Sequence, residues 1–228
     1  MIRKFRDLPD YMRNDEVRPY YRIVAGKKVY IFFKRLMDIV LSALALILVS
    51  PIILITAIII KLGSKGPLFY RQTRVTRYGR EFKILKFRTM VVDADKIGGS
   101  VTVDNDPRVT GIGRLLRRFR LDEFPQLINV LIGDMSLIGT RPEVPDMVAK
   151  YDKVMYATLL TRSGMLSSAA IEFKHEADLL KEVEDTETYY IKEILPKKME
   201  YNLSDIEHFS FINEVKIFFR ALGAIFDL

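Results

Sequence analysis

The sequence predicts a mainly helical α+β protein of the monotopic membrane class, with a re-entrant, proline-broken N-terminal helix, a β-hairpin and a helical cytosolic domain. A long uncharged apolar run, interrupted near its middle by a Ser-Pro pair and basic on both flanks, indicates the membrane element. Two short segments of alternating apolar and polar residues indicate the hairpin. Segments with apolar residues at helical spacing make up most of the remainder.

The apolar run covers residues 39–60 and contains no charged side chain. About twenty apolar residues are enough for a helix to cross a bilayer core of about 30 Å. However, Ser50-Pro51 lies near the middle of the run, and proline lacks the backbone donor and clashes with the preceding helical turn. We therefore expect a kink or break there, giving two legs of about eleven residues, each about 16 Å long.

Basic residues flank the run on both sides. They are Arg22, Lys27, Lys28, Lys34 and Arg35 before it, and Lys61, Lys65, Arg71, Arg74 and Arg77 after it. Because Lys and Arg mark the cytoplasmic side of a membrane segment, both ends are expected in the cytoplasm, as in a re-entrant hairpin. A kinked helix that spans the bilayer is the main alternative. A buried core helix is disfavoured by the length of the run, and a cleaved signal peptide by its distance from Met1.

The composition outside this run is that of one modest globular domain. The chain has 228 residues, a formal net charge of +7 and no cysteine. The charge allows nucleic acid, anionic lipid or a phosphorylated substrate as partner, and the membrane run favours lipid headgroups. The lack of cysteine excludes disulfides and thiolate metal sites. We divide the chain into an N-terminal extension (1–29), a membrane hairpin (30–62) and a cytosolic domain (63–228).

The N-terminal extension is charged and bears several tyrosines, and it is expected to lie along the surface. Residues 68–75 and 80–87 alternate, are rich in aromatic and β-branched side chains and are separated by a short turn. This pattern predicts a β-hairpin. From Ile112 to Leu131 the apolar residues recur at helical spacing, which predicts a helix.

Two further helices are predicted towards the C-terminus. One falls within residues 173–200, which are rich in Glu, Lys and Leu, and its end is expected at Leu195-Pro196. The other covers residues 211–226 and has apolar residues along one side. That side is expected to pack on the core, with a position in the membrane interface as the alternative.

The densest polar cluster lies in residues 114–127. Its charged residues are Arg114, Arg117, Arg118, Arg120, Asp122 and Glu123. Because Pro125 follows and proline is accepted in the first turn of a helix, a helix is expected to begin near Asp122. Both carboxylates would then lie at its positive end, where an aspartate stays ionised, as a carboxylate nucleophile must. On spacing alone, a capping aspartate beside a solvated glutamate and a lipid-binding basic face explain the same residues.

Other segments add cations but no complete motif. Lys86 and Arg88 lie at the end of the second predicted strand, and Arg141 lies in a glycine-punctuated loop. His175 and His208 are isolated and are interpreted as structural. The sequence contains no Walker-type phosphate loop, dinucleotide fingerprint, zinc-protease motif or nucleophile elbow.

Together, these segments resemble the bacterial sugar transferase family, small monotopic phosphoglycosyl transferases that begin glycan assembly on a lipid carrier. The similarity extends from about residue 30 to the C-terminus. The segments that carry it are FKRLMD (33–38), the Ser50-Pro51 break, GPLFYRQTRV (66–75), FKILKFRTM (82–90), DPRVTGIGRLLRRFRLDEFPQLINVLIGDMSLIGTRPE (106–143) and YYIKEILPKKMEYN (189–202). Several long motifs in the family's order outweigh the structural interpretation of the acidic pair.

The resemblance implies that a UDP-sugar and polyprenyl phosphate react to give polyprenyl-diphosphate-sugar and UMP, with Mg²⁺. Asp122 matches the family's nucleophile, which forms an aspartyl-phosphosugar intermediate, and also falls where the family contacts Mg²⁺. Glu123 matches the second acid of the pair, which positions or activates groups or assists with the metal. The other matching positions are Arg117 and Arg141, which bind phosphate, and Lys86, Arg88 and Gln126, which line the same pocket.

The resemblance also implies a location and partners. The chain is expected in the bacterial inner membrane, with residues 63–228 as a catalytic domain facing the cytoplasm. Its partners would be a UDP-sugar, polyprenyl phosphate and membrane lipids, without nucleic acid and with a homodimer as an option. A hairpin within one leaflet would keep the site at the height of the lipid phosphates.

Two segments depart from the family pattern. Thr140-Arg141-Pro142 stands where Pro-Arg-Pro is common, and a small effect is expected because the arginine is retained. Residues 163–170 read SGMLSSAA, without the threonine and proline that the family often has there. A change in this segment alters donor specificity if the segment contacts the sugar or nucleotide. The competing hypotheses are a non-catalytic membrane adaptor and a nucleic-acid-binding protein. The second is disfavoured because the sequence contains no recognised nucleic-acid-binding module.

Overall fold

Helices make up most of the protein in its computed structural model, which describes residues 2–94, 106–180, 183 and 185–226. The α-helices are α1 (Val17–Ala25), α2 (Lys28–Gly63), α3 (Gly111–Arg118), α4 (Gln126–Ile132), α5 (Pro145–Val148), α6 (Ser168–Glu172), α7 (Glu176–Leu179), α8 (Thr186–Tyr189), α9 (Leu195–Glu207) and α10 (Phe211–Phe226). The strands are β1 (Phe69–Val75), β2 (Glu81–Phe87), β3 (Ser136–Ile138) and β4 (Gly164–Leu166). With 61% of the protein helical, the predicted mainly helical class is confirmed.

The longest helix, α2, contains the apolar run and is long and apolar enough to cross a membrane. Most of its side chains are exposed, and the exposed fraction of Leu48 reaches 79%. Burying that much apolar surface requires lipid or another apolar partner. The long apolar N-terminal helix is consistent with a monotopic membrane protein.

The helix α2 continues through Ser50-Pro51 without interruption. The expected break at Pro51 is therefore absent, whereas the alternative of a kink and the re-entrant course of the helix stay predictions. Pro51 lacks the N–H that would bond to the carbonyl of Ile47, four residues earlier. The Ser50 hydroxyl donates to that same carbonyl over 2.8 Å, so the freed acceptor has a partner and the helix persists.

Both ends of α2 contact the domain that follows it. Near the N-terminal end, the carboxylate of Asp38 accepts a hydrogen bond of 3.0 Å from the hydroxyl of Ser136 in β3. Near the C-terminal end, Ile60 is buried in a cluster with Phe87 and Leu116. The residues from 43 to 55, between these contacts, include no buried side chain.

The predicted β-hairpin is confirmed. Strands β1 and β2 are antiparallel, in a register that pairs Phe69 with Phe87 and Val75 with Glu81. The connecting turn places Gly79 at a φ of 75°, a backbone region that favours glycine. One face of β2 packs against residues in and just after helix α4, in a core cluster of Phe82, Ile84, Val130 and Met135.

The predicted helix over residues 112–131 is divided in the structure. Helix α3 begins after Thr110, whose side chain accepts from the amide of Gly113, and ends at Arg118. The backbone of Arg120 then adopts a left-handed conformation, with a φ of 52°, which stops the first helix and redirects the chain. A 3₁₀ turn over Leu121–Glu123 follows, and α4 begins only at Gln126.

The C-terminal region also differs from prediction. Leu195-Pro196 begins α9 rather than ending a helix, because proline is tolerated in the first helical turn. A π-helical turn over Tyr190–Ile194 precedes it. The final helix is present as α10, and it buries Ile217 while Phe219 is exposed. Its apolar residues therefore serve both the core and an uncovered surface.

The N-terminal extension does not only lie on the surface. Leu8, Met12, Val17 and Val24 are buried in the largest core cluster, together with residues of α9 such as Met199. The parallel pair formed by strands β3 and β4 was also not predicted from the sequence. The extension and the C-terminal helices therefore share one hydrophobic core.

Candidate active site

The acidic pair lies in the 3₁₀ turn between α3 and α4. Asp122 is only 8% exposed, and the side chain of Glu123 is also largely buried. The helix that follows has only seven residues, so the expected contribution of a helix N-terminus is small. The charges around the pair therefore come mainly from side chains on other elements.

Glu123 is held by two cations. Arg141 donates to both of its carboxylate oxygens, in one bond over 3.2 Å, and Lys86 donates to it over 3.2 Å. Burial opposes ionisation of this carboxyl, but Arg141 and Lys86 outweigh burial and hold the pKa of Glu123 well below its usual value. Burial in turn lowers the pKa of the Lys86 ammonium, against the opposite effect of Glu123. Glu123 is therefore a fixed anion that orders its two cations.

Asp122 has the opposite environment. Its carboxylate has no hydrogen-bond or ion-pair partner among the residues that the structure describes. Burial raises its pKa above the usual value, and the adjacent Glu123 raises it further, against the effects of Lys86, Arg117 and Arg141. Neighbouring carboxyl groups with pKa values shifted in opposite directions are a pattern that separates chemical roles. Asp122 is the member that is available to react.

Arg117 comes from α3 and lies close enough for its charge to act on Asp122. Its Nε donates to the hydroxyl of Thr89 over 2.8 Å, which fixes the guanidinium. Burial lowers the pKa of Arg117, and the carboxylates of Asp122 and Asp106 raise it. A half-buried, oriented guanidinium beside an unpaired carboxylate suits the recognition of a phosphate group.

Gln126 is the first residue of α4 and is 1% exposed. Within the described part of the chain, neither its side-chain oxygen nor its nitrogen has a hydrogen-bond partner. A buried amide without partners costs free energy unless water or a ligand satisfies it.

Arg88 has a different place from the one expected. Its guanidinium donates to the carbonyls of Ser64 and Lys65, over 3.0 and 2.7 Å, and to the Ser64 hydroxyl over 2.7 Å. These acceptors lie at and just beyond the C-terminal end of α2. The expectation that Arg88 lines the substrate pocket is therefore not supported by its contacts, which attach the second strand to the membrane helix.

Residues with no predicted role also shape the site. Thr89 orients Arg117, and Arg74 donates to the carbonyl of Pro142 over 3.0 Å, next to Arg141. Both lie in the segments that carry the family resemblance. Their position in those segments was the only indication of a role in the site. The roles themselves could not be predicted, because the partners lie far away in the sequence.

The altered segment 163–170 lies next to the loop of Arg141. The amide of Gly164 donates to the carbonyl of Thr140 over 2.9 Å, and the strands on either side are parallel. A side chain at Gly164 would lie 2.1 Å from the backbone nitrogen of Gly139, so the two strands require glycine for their close approach. Ser167 caps α6 by accepting from the amide of Ala170 over 3.0 Å.

The side chains that could coordinate the expected Mg²⁺ are few. No group of three His, Cys, Asp or Glu side chains suitable for a metal occurs in the described ranges. Mg²⁺ is commonly bound by one or two carboxylates together with substrate phosphates and water. The unpaired carboxylate of Asp122 and the unpaired amide oxygen of Gln126 fit a site of that kind.

The sequence model of the bacterial sugar transferase family matches residues 29–227. The chain belongs to this family. Among related sugar transferases, it is 38% identical over 201 residues to UDP-N-acetylgalactosamine-undecaprenyl-phosphate N-acetylgalactosaminephosphotransferase of Aeromonas hydrophila, covering 86% of this chain and 44% of the relative. It is 38% identical over 191 residues to UDP-glucose:undecaprenyl-phosphate glucose-1-phosphate transferase of Escherichia coli K12, covering 82% of this chain and 38% of the relative.

A third relative is similar in size to this chain. The exopolysaccharide production protein ExoY of Rhizobium meliloti is 36% identical over 147 residues, which cover 58% of this chain and 65% of that protein. By contrast, this chain spans less than half the length of the Aeromonas and Escherichia relatives. The matched family region begins at residue 29, so it includes all of α2 after Lys28 and the whole acidic site.

Proposed function

We propose that this chain transfers a sugar-1-phosphate from a UDP-sugar to polyprenyl phosphate, giving polyprenyl-diphosphate-sugar and UMP. The observation that carries the proposal is the contrast within the acidic pair: Glu123 is neutralised by Arg141 and Lys86, while Asp122 is buried, unpaired and close to cations. Two of the curated relatives are named as transferases of this kind. A free carboxylate among cations suits attack on a phosphorus atom.

In the first step, a carboxylate oxygen of Asp122 attacks the phosphorus that carries the sugar. A new bond forms between this oxygen and phosphorus, the bond to the bridging oxygen breaks, and UMP leaves with that oxygen. Arg117, fixed by Thr89, is placed to neutralise the phosphate charge, as are the cations held by Glu123. Because the pKa of Asp122 is raised, its carboxylate is more basic, and so more nucleophilic, than that of an ordinary aspartate.

In the second step, a phosphate oxygen of the polyprenyl phosphate attacks the same phosphorus. The bond between phosphorus and Asp122 breaks, which restores the carboxylate and releases polyprenyl-diphosphate-sugar. Asp122 and Gln126 would hold Mg²⁺, which neutralises the charge of the diphosphate when it is bound. A covalent intermediate lets a water-soluble donor and a lipid acceptor use one site in turn, in a ping-pong sequence.

We also propose that α2 is re-entrant, in the bacterial inner membrane, with the remainder of the chain facing the cytoplasm. Support comes from the contacts at its two ends, Asp38 with Ser136 and Ile60 with Phe87 and Leu116. Both ends therefore attach to the same domain, which lies on one side of the membrane. The proximity of the acidic pair to Leu116 and Leu121, which pack in the cluster with Ile60, keeps the chemistry beside the membrane helix.

The proposal is tested by UMP release from purified protein, Mg²⁺, polyprenyl phosphate and a panel of UDP-sugars. Asp122→Asn is expected to lower release by at least about 1,000-fold, because the amide cannot act as the nucleophile. Asp146→Asn, at an exposed aspartate away from the pair, is the matched control and should keep full activity. Undiminished release by the Asp122 variant would refute the assigned nucleophile.

A trapping experiment separates the mechanism from the overall reaction. A donor labelled in its sugar-linked phosphate, supplied without polyprenyl phosphate, should label the protein at Asp122 and release one UMP per site. Release that occurs only when the acceptor is present, without labelled protein, would favour direct transfer. If the unmutated protein releases no UMP with any UDP-sugar of the panel, the result would instead favour the membrane adaptor.

A further inference from the structure

The loop that carries Arg141 is anchored through its backbone. Arg74 donates to the carbonyl of Pro142 over 3.0 Å, and the amide of Val75 donates to the carbonyl of Glu143 over 2.9 Å. These bonds attach the two residues that follow Arg141 to strand β1. The backbone on the C-terminal side of the arginine therefore depends on where Glu143 is held.

The side chain of Glu143 is held by the C-terminal region. The hydroxyl of Tyr190 donates to its carboxylate over 2.9 Å. Lys198 in turn donates to the oxygen of Tyr190 over 3.0 Å and to the carboxylate of Glu176 over 2.9 Å, and its ammonium lies 3.9 Å from Glu143. We call these four residues, Glu143, Tyr190, Lys198 and Glu176, the tail network.

The tail network is largely buried, and its charges balance when Arg74 is included. Tyr190 and Lys198 are both buried, and the lysine lies 5.1 Å from the centre of the tyrosine ring. With Arg74, which is 3.8 Å from the second carboxylate oxygen of Glu143, the network contains two cations and two anions. Buried polar networks whose members are all satisfied make one arrangement rigid.

The position of Tyr190 adds a second reason for interest. It is the first residue of the π-helical turn that joins α8 to α9, and π-turns within helices are frequent at functional sites. The segment 189–202, which includes Tyr190 and Lys198, carries part of the family resemblance but has no role in the chemistry above. Two of its buried side chains, Tyr190 and Lys198, instead lie close to Glu143 in the loop of Arg141.

We propose that the tail network positions Arg141, and through it the acidic pair, for phosphoryl transfer. Glu143 and Tyr190 are positioning residues that touch no reacting atom. Tyr190 holds the carboxylate of Glu143, Glu143 fixes the loop, and the guanidinium of Arg141 then fixes Glu123 beside Asp122. This inference rests on the proposed function, because the arrangement matters only if the acidic pair performs the chemistry.

The test is Tyr190→Phe, which removes one hydroxyl without changing the shape of the side chain. Tyr189→Phe is the matched control, because the hydroxyl of this neighbouring tyrosine has no hydrogen-bond partner in the part of the chain that the structure describes. We expect kcat for UMP release to fall by about tenfold in Tyr190→Phe, since small misplacements of charged groups reduce rates steeply. The KM for the UDP-sugar should stay within about twofold, because the network does not contact substrate.

Amide hydrogen exchange supplies a readout that does not depend on activity. Exchange at Val75, whose N–H is bonded to the carbonyl of Glu143, should become faster in Tyr190→Phe and stay unchanged in Tyr189→Phe. Equal kcat values for the two variants, whether both are unchanged or both are reduced, would overturn the positioning role. Unchanged exchange at Val75 in Tyr190→Phe would also overturn it.

The two proposals fail in different ways. If the unmutated protein releases no UMP with any donor, the proposed function fails, whereas faster exchange at Val75 would still show that Tyr190 holds the loop. If the unmutated protein is active and Tyr190→Phe matches Tyr189→Phe in kcat and exchange, only the positioning role of the tail network is lost.

Discussion

At the scale of single residues, the site depends on two adjacent carboxyl groups that the fold treats differently. Glu123 receives hydrogen bonds from Arg141 and Lys86, which lowers its pKa despite burial. Asp122 is buried without such bonds, and its pKa is raised. The same two residue types in water would differ little. Their separation into a paired carboxylate with a lowered pKa and an unpaired one with a raised pKa is therefore a product of the surroundings.

This difference predicts opposite effects on stability. The pKa of Asp122 is higher in the folded chain than in the unfolded chain, so its ionised form at neutral pH costs stability. Asp122→Asn removes that cost, and its melting temperature in detergent should equal or exceed that of the unmutated protein. A clearly lower melting temperature would mean that the carboxylate has a stabilising partner.

Glu123→Gln should have the reverse effect. The pKa of Glu123 is lowered in the folded chain, so its charge stabilises the fold above its ordinary pKa, and this contribution is lost as the pH falls through the folded value. The amide removes the carboxylate to which the partly buried Arg141 and Lys86 are bonded and leaves only the unbonded Asp122 of the pair as an anion near both. This change costs about 3 kcal/mol and lowers the melting temperature by roughly 6–12 °C. If Glu123→Gln has the same melting temperature as Asp122→Asn, the assignment of Arg141 and Lys86 as partners of Glu123 is wrong.

At the scale of elements, helix α2 is attached through the residues of its basic lead. Lys34 donates to the carbonyl of Ile138 over 3.0 Å, and Arg35 donates to the carbonyls of Val130 and Leu131 over 2.6 and 2.8 Å. Arg35 thus satisfies carbonyls near the C-terminal end of α4, the short helix that follows the acidic pair. The basic residues before a membrane segment are therefore structural contacts as well as markers of orientation.

The course of α2 in the membrane is a prediction for cysteine labelling. The chain has no native cysteine, so single cysteines can be placed at Val29 and Leu62, which are 72% and 84% exposed. A re-entrant helix should make both positions react with a membrane-impermeant reagent from the cytoplasmic side. A cysteine at Leu48, near the middle of the helix, is the control and should react from neither side. Labelling of the two ends from opposite sides would establish a spanning helix.

At the scale of the whole molecule, the N-terminal extension is part of the fold. The family match begins at residue 29, yet Met12, Val17 and Val24 lie in the largest core cluster with residues of the C-terminal helices. The same C-terminal region holds Glu143 through Tyr190. Segments from both ends of the chain therefore pack in one core, and this core includes the tyrosine that holds Glu143.

The contribution of the extension predicts a loss of stability on core truncation. Met12 is fully buried, so Met12→Ala should cost about 2–5 kcal/mol through lost burial and the cavity that remains. The measurement is the melting temperature of the purified protein in detergent. Arg6→Ala, at an exposed side chain, is the control and should melt with the unmutated protein. Equal melting of the two variants would show that the extension contributes nothing to the core.

The sequence alone determined the apolar helix, the hairpin, the family and the pair Asp122 and Glu123, because these depend on local periodicity and on residues adjacent in the chain. Tertiary structure alone decided which carboxylate is paired with cations, since Lys86 and Arg141 reach Glu123 across 37 and 18 positions. It also moved Arg88 to the end of α2 and carried that helix through Pro51, where Ser50 supplies the missing bond. Partners brought together only by folding set burial and charge balance, and no local pattern contains that information.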